Sequence, residues 1–351
     1  MRRGAAVPHV PERVVQLKPL NEQVAVVVGA SSGIGRETAR RLAARGAKVV
    51  VAARSEAGLA SLVEEITAAG GQAAYAVCDV VDFAQVDAVA TLAERTYGWI
   101  DTWVNVAAVG VYARFEDTTL EEIRRLMDVN FMGQVHGAKA ALPHLRREGR
   151  GALIAVSSVE ALVSLPLHSA YAASKHAVEG LFDAIRRELM ADGVPISVTS
   201  VKPGTVNTPF FNNARNKMDV KPQGAPPIYQ PGVVADCIVY AAEHPVRDLF
   251  AGGSGKLMAL GQSTAPRLVD AALARQGIPA QRTDDPSGGH ADGTLYAPRA
   301  DDNRVEGDFG DRARRFSLYT WLETHPRAGA LAAAGALAGT ALLASRRRGT
   351  V

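Results

Sequence analysis

Between Gln23 and about Leu260 the chain alternates short runs of β-branched and small apolar residues with longer stretches whose apolar positions recur every three or four residues. Continuous apolar runs suit strands buried on both faces, and the three-to-four spacing suits helices that cover them. The pattern predicts seven strands, at Val24–Val28, Lys48–Ala53, Ala73–Cys78, Thr102–Val106, Ala152–Ser157, Ile196–Val201 and Lys256–Leu260. After the first strand a helix is predicted with Ala39, Leu42 and Ala43 on one face and Arg36, Arg40, Arg41 and Arg45 elsewhere, stopped by Gly46. Further helices fit Glu56–Ala69, Phe83–Tyr97, Leu120–Arg147, Ser169–Ala191 and Pro231–Glu243. Alternation of this kind implies an α/β fold with a doubly wound parallel seven-stranded sheet flanked by helices on both faces.

The same pattern divides the chain. Residues 1–22 read as a leader, broken by Pro8 and Pro11 where a secretory signal would need an unbroken apolar run. Residues 23–280 form the α/β domain, interrupted between Pro209 and Pro231 by five prolines that predict an irregular lid. Residues 281–327 are rich in Asp, Gly, Pro and Arg with few aliphatic residues, and read as a linker. Residues 328–351 differ again, with an uncharged run from Ala328 to Ser345 closed by Arg346, Arg347 and Arg348. At about 1.5 Å per residue that run approaches the ~30 Å hydrocarbon core, and Gly335 and Gly339 form a GxxxG. The expectation is a membrane anchor at residues 328–345 carrying a cytoplasmic catalytic domain, the alternatives being a helix packed on protein or lying at the membrane surface.

Composition narrows the classes. A net charge of +3 over 351 residues, with no dense basic block in the first 280, argues against a nucleic-acid partner. Cys78 and Cys237 follow no CxxC spacing and the histidines no ligand spacing, so neither a disulfide framework nor a metal site is expected.

Candidate chemistry begins at Gly29-Ala30-Ser31-Ser32-Gly33-Ile34-Gly35, between the first predicted strand and helix. A turn there must bring helix N-terminal amides to a pyrophosphate, and glycines permit the close approach. At the end of the second strand, where a carboxylate would bind an adenosine ribose and repel a 2'-phosphate, stand Ala53 and Arg54. A guanidinium there favours NADP(H), with NAD(H) as the alternative. Farther on, Tyr171 and Lys175 lie four residues apart at the start of a predicted helix, on one face. A cation beside a phenol stabilises the phenolate and brings a tyrosine toward work as a general acid or base.

The GxxxGxG spacing, and the order of motifs after it over residues 20–260, resembles the short-chain dehydrogenase/reductase family, which has a Rossmann fold. The resemblance implies that Ser158, thirteen positions before Tyr171, hydrogen-bonds the substrate oxygen, that Tyr171 moves its proton, and that Lys175 holds the nicotinamide ribose. It implies that Asn130, in Val129-Asn130-Phe131-Met132-Gly133, positions a water in a proton relay. Asp79 and Val80 correspond to the adenine-contacting pair, and Pro203, Gly204, Val206 and Thr208 to the loop that holds the nicotinamide carboxamide. Asn105-Val106-Ala107-Ala108 departs from the family's NNAG, keeping the first asparagine, with Asn105 and Ala107 as expected contacts on the adenosine side. The family further implies a homo-oligomer, a dimer or tetramer.

The function expected is the interconversion of a carbonyl and an alcohol on a small substrate. Phe210, Phe211 and Ile228 in the lid suggest a lipophilic one. A second reading, a nucleotide-binding sensor or scaffold without turnover, draws on the NNAG departure and the appended tail. Glu160 either faces the substrate or solvates a loop, and His168 and His176 read as surface or interface histidines.

Overall fold

The computed structural model describes residues 15–299 and 303–327. Its sheet is built from β1 (Val24–Val28), β2 (Lys48–Ala53), β3 (Gln72–Val77), β4 (Thr102–Asn105), β5 (Gly151–Val156), β6 (Ile196–Pro203) and β7 (Asp248–Ala251). All neighbours pair parallel, in the spatial order β3-β2-β1-β4-β5-β6-β7. The helices of seven residues or more are α1 (Gly33–Ala44), α2 (Glu56–Ala68), α3 (Phe83–Tyr97), α4 (Leu120–Met127), α5 (Gly133–Glu148), α6 (Ser169–Ala191), α7 (Pro231–Glu243), α8 (Gly253–Thr264), α9 (Pro266–Ala280) and α10 (Leu318–Thr324), and a single helical turn, Phe210–Asn213, lies in the lid.

Because side chains alternate along a strand, β1 feeds two cores. Val24, Val26 and Val28 pack in one with Val86, Leu126 and Phe182, while Ala25 and Val27 pack in the other with Leu42, Leu62 and Ile238. The strand order reverses at β1, between β2 and β4, so the crevice above the carboxyl ends of those strands is where a doubly wound sheet binds its ligand.

Three departures from the pattern have physical causes. The edge strand is Asp248–Ala251, not Lys256–Leu260. Leu249, Phe250 and Ala251 are buried against β6, whereas Leu257 and Leu260 are 71% and 58% exposed on α8. Gly252, at φ +108°, ends the strand and turns the chain into that helix. The long stretch predicted from Leu120 to Arg147 is interrupted by a wide π-helical turn, Asp128–Met132, between α4 and α5.

The third departure is the segment read as a linker. Its described residues lie on the domain: Leu295 is fully buried in the first core, and Phe309 packs with Tyr112, Phe211 and Met218. Backbone groups anchor it, with Thr294 N–H donating to the Asn213 carbonyl at 2.7 Å and Phe309 N–H to Asn207 Oδ1 at 2.9 Å.

The membrane reading is corrected. Among the described residues no helix is long and apolar enough to cross a membrane. The run at residues 328–345 lies outside the described residues, and as an alanine-rich stretch it is both short of a full span and weakly driven to insert. The transmembrane helix, the membrane-attached location and the expected homo-oligomer are withdrawn together, since neither the described residues nor the relatives reported below show an attachment or an assembly.

Candidate active site

The β1–α1 turn is shaped by what a side chain would hit. A methyl group on Gly29, which sits at φ +94°, would come within 2.4 Å of the Ala107 nitrogen. One on Gly35 would lie 2.1 Å from the Gly29 carbonyl oxygen. Both contacts are with backbone, so the glycines let β1, the loop after β4 and the start of α1 close on one another. Ser31, Ser32, Gly33, Ile34 and Ala107 line a cavity of about 320 Å³ that begins here. The loop after β4 is held by Val106 and Ala107 N–H groups donating to the Val28 carbonyl at 2.8 and 3.0 Å, so the departure from NNAG leaves it seated.

At one end of the cavity stand Arg54, after β2, and Asp79 and Val80, after β3. Arg54 donates through Nη2 to the Thr294 carbonyl at 2.7 Å and through Nη1 to the Tyr296 carbonyl at 3.2 Å. Burial pulls its guanidinium below the ordinary value, with Asp79 opposing and Arg125 adding to the shift. Asp79 accepts from Arg125 Nη2 at 2.8 Å. Burial pushes its carboxyl up, but the hydrogen bonds from Arg125 and the Val81 N–H and the charges of Arg125 and Arg54 outweigh this, and it is held below the carboxylate range. It remains an anion at neutral pH.

At the other end β5 delivers Ser158 and α6 delivers Tyr171 and Lys175 one helical turn apart. Ser158 hydrogen-bonds Tyr171 and accepts from the Glu160 N–H at 3.0 Å. Lys175, almost wholly buried, donates to the Val156 carbonyl at 3.0 Å and lies 5.5 Å from the Tyr171 ring centre. Burial lowers its ammonium to about 8, against the carboxylates of Glu179 and Glu160. Tyr171 moves the other way: burial and the charge of Glu160 push its phenol above its ordinary value, and only the hydrogen bond from Ser158 pulls it back.

Pro203, Gly204, Val206 and Thr208 line the same end from the loop after β6. Phe210 closes over it, its ring edge-on to Tyr171 at 5.7 Å. Two expected residues stand behind the cavity wall. Asn130 is fully buried in the π turn, where its amide accepts from the Val109 N–H and donates to the Val109 carbonyl and Ser174 Oγ, at 2.8, 2.9 and 3.2 Å. It ties the loop after β4 to α6 between Tyr171 and Lys175. Asn105 turns toward α5, accepting from Trp103 Nε1 at 2.9 Å.

Glu160 takes the inward alternative, pairing with His168 Nδ1 at 2.9 Å on the cavity wall. His168 is thus buried, against the surface reading, and it packs on Tyr112 with ring centres 4.1 Å apart. His176 is exposed as expected. Sequence reasoning missed Thr294, Pro298 and Arg299, which wall the Arg54 end. The only signal for them was the short run Gly293-Thr294-Leu295-Tyr296 inside an otherwise polar stretch. Among the described residues no cluster of His, Cys, Asp or Glu could hold a metal ion.

A crevice with a glycine-rich turn at one switch-point strand and a serine, tyrosine and lysine converging farther along defines a dinucleotide-dependent oxidoreductase. Comparison with known proteins agrees. The short chain dehydrogenase family matches residues 23–219, and the chain belongs to that family. It is an NAD(P)-dependent oxidoreductase of CH–OH groups. It is 39% identical over 284 residues to the oxidoreductase YxnA of Bacillus subtilis (strain 168), covering 80% of each chain. It is 35% identical over 201 residues to the rat dehydrogenase/reductase SDR family member 7B (Rattus norvegicus), spanning 56% of this chain and 61% of that one. Among solved structures, an alcohol dehydrogenase from the archaeon Thermococcus sibiricus complexed with 5-hydroxy-NADP superposes with a TM-score of 0.57 at 26% identity, over 65% of this chain and 95% of the other. A short chain dehydrogenase from Mycobacterium paratuberculosis bound to NAD gives 0.60 at 27% identity, over 66% and 97%.

Proposed function

We propose that the protein reduces the carbonyl of a small, lipophilic substrate with NADPH, or oxidises the matching alcohol with NADP⁺. The observation that carries this reading is one cavity with Arg54 at one end and Ser158, Tyr171 and Lys175 at the other. The residues fit a dinucleotide: Gly29 and Gly35 permit the close approach of β1 and the start of α1 that a pyrophosphate-binding turn needs, although the Gly33 N–H is taken by the Arg304 carbonyl, which a bound pyrophosphate would displace, and Arg54 and Asp79 lie at the end of the cavity where a 2'-phosphate and adenine would bind. When bound there, the nicotinamide supplies or accepts the hydride.

The chain's own groups handle the oxygen and its proton. Ser158 donates to the substrate oxygen and holds it beside the Tyr171 hydroxyl. A phenol raised above its ordinary value stays protonated at neutral pH, so Tyr171 is set as the acid of the reductive direction. Lys175, lowered to about 8, is poised to exchange a proton in the working range. Asn130 keeps α6 and the loop after β4 in register, and a water beside it would extend the relay. Phe210, Phe211 and Tyr112 line the cavity with aromatic surface, which favours an apolar substrate body.

The test is consumption of NADPH with a panel of aldehydes and ketones, compared with Tyr171→Phe. Loss of turnover by about 10²–10⁴-fold with unchanged NADPH binding is expected, the usual share of a positioned acid. Retained turnover in Tyr171→Phe would end the mechanism.

A further inference from the structure

The C-terminal segment crosses the cleft at one place in a way that its composition does not suggest. Three consecutive carbonyls, of Thr294, Leu295 and Tyr296, all accept from arginines of the cofactor end. Those of Thr294 and Tyr296 bind the two Nη atoms of Arg54, at 2.7 and 3.2 Å. That of Leu295 binds Arg125 Nε at 3.0 Å, while Arg125 Nη2 holds Asp79 at 2.8 Å. The three carbonyls follow one another through a turn, so one short stretch of backbone holds both Arg54 and Arg125, and through Arg125 the Asp79 carboxylate.

The turn is itself fixed from two sides. The Leu295 side chain is fully buried in the core with Val80, Leu126 and Val129. Gly293 sits at φ +63°, and a methyl there would come within 2.4 Å of the Asn213 carbonyl oxygen, the same carbonyl that accepts from the Thr294 N–H. Farther along, the Arg304 carbonyl accepts from the Gly33 N–H at 2.9 Å, so the segment also reaches the start of α1. Meanwhile the cavity remains continuous beneath it from Arg54 to Tyr171, with Thr294, Pro298 and Arg299 as wall. At the Gly293–Tyr296 turn the segment bounds the cavity as a wall, whereas at Arg304 it takes up an amide at the start of α1.

We infer that the Gly293–Tyr296 turn is a specificity element for the cofactor: it positions Arg54 for a 2'-phosphorylated dinucleotide. This rests on the cofactor reading proposed above. A free arginine side chain has four rotatable bonds, and holding its guanidinium by two carbonyls removes the ordering cost that a phosphate would otherwise have to overcome. The carbonyls take one hydrogen of each Nη and leave Nε and the remaining hydrogens for the phosphate. Leu295 is therefore a positioning residue, acting through Arg54 and never touching the cofactor's reacting atoms.

The experiment compares dissociation constants of NADPH and NADH, by nicotinamide fluorescence or calorimetry, for the full chain, Leu295→Ala, Leu295→Ile and Gly293→Ala. The full chain is expected to prefer NADPH. Leu295→Ala and Gly293→Ala should each weaken NADPH about tenfold, the worth of one charge-assisted hydrogen bond, with NADH nearly unchanged, and Leu295→Ile should restore the preference. Melting curves identify a variant that fails to fold, and the two substitutions loosen the turn by unrelated means. Hydrogen exchange in residues 293–299 of the unaltered chain, slowed more by NADPH than by NADH, gives a readout that needs no variant. An unchanged ratio, an equal loss for both cofactors, or tighter binding of both would overturn the inference, the last because it would make the segment a competitor for the site. A full chain that binds the two cofactors equally would instead sink the cofactor reading, and the inference with it.

Discussion

The two ends of the cleft are built differently. The end that holds Ser158, Tyr171 and Lys175 is made from β5 and α6, elements buried in the middle of the sheet and only thirteen and four residues apart in the chain. Its interactions are short-range and its charges few and buried. The Arg54 end is made from the tips of β2 and β3 together with a turn some 240 residues farther on, and it is held by arginines on carbonyls and a carboxylate. On the function proposed above, proton transfer needs fixed distances inside a buried site, and local elements provide them. On the same function, recognition of a charged cofactor needs many polar partners, and the Arg54 end draws them from distant parts of the chain.

The sharpest break of that comparison is Lys175→Met. Turnover should fall by about 10²-fold or more, as for loss of a proton-handling group. Stability should move the other way. The Lys175 ammonium is lowered by burial to about 8, from 10.5, so below pH 8 the folded chain carries a buried cation that the unfolded chain solvates freely. The Met variant should therefore melt higher than the parent at pH 6–7. Between about pH 8 and 10.5 the unfolded parent binds more protons than the folded one, its stability rises with pH, and the gap should close. A gap that is constant with pH would contradict the buried-cation account.

Arg54→Asp tests the other end alone. The ratio of kcat/KM for NADPH to that for NADH should fall about tenfold to a hundredfold, with kcat for the better cofactor changed little, since an arginine–phosphate pair is worth about 1.5–3 kcal/mol. Steady-state kinetics with both cofactors decide it, and a matching fall in kcat would mean that the two ends are not separable. The smallest effect is expected from Glu160→Gln. Because the Glu160 charge helps raise the Tyr171 phenol, removing it should move the basic limb of the pH–rate profile for reduction to lower pH by less than about one unit. A shift to higher pH would show that the Glu160–His168 pair acts on Tyr171 through something other than charge.

Legibility in sequence follows the same division. β1, β2 and β5 are continuous apolar runs, and such runs read the same alone as in the sheet. The edge strand has only Leu249, Phe250 and Ala251 to announce it, and the apolar residues after it drew the reading into α8. The serine, tyrosine and lysine were legible because strand end and helix start are local features. The burial of His168 was not, because it depends on Tyr112, 56 residues away and brought in by a loop. The turn at Thr294 was hidden for a different reason: its order comes from backbone carbonyls and a single leucine, and backbone groups leave no mark on composition.

The π turn at Asp128–Met132 carries a consequence for the whole helical run it interrupts. An α-helix rotates about 100° per residue, so accommodating one extra residue in a wide turn advances the phase of everything after it by roughly that angle. Before the turn, Leu126 faces the first core; after it, Gly137 faces Asn105, where a methyl group would lie 2.1 Å from Oδ1. Deleting any one residue between Asp128 and Met132 would re-gear α5, swinging Gly137 aside and driving a larger neighbour onto Asn105. The turn works as a differential between two successive helices that answer to different neighbours.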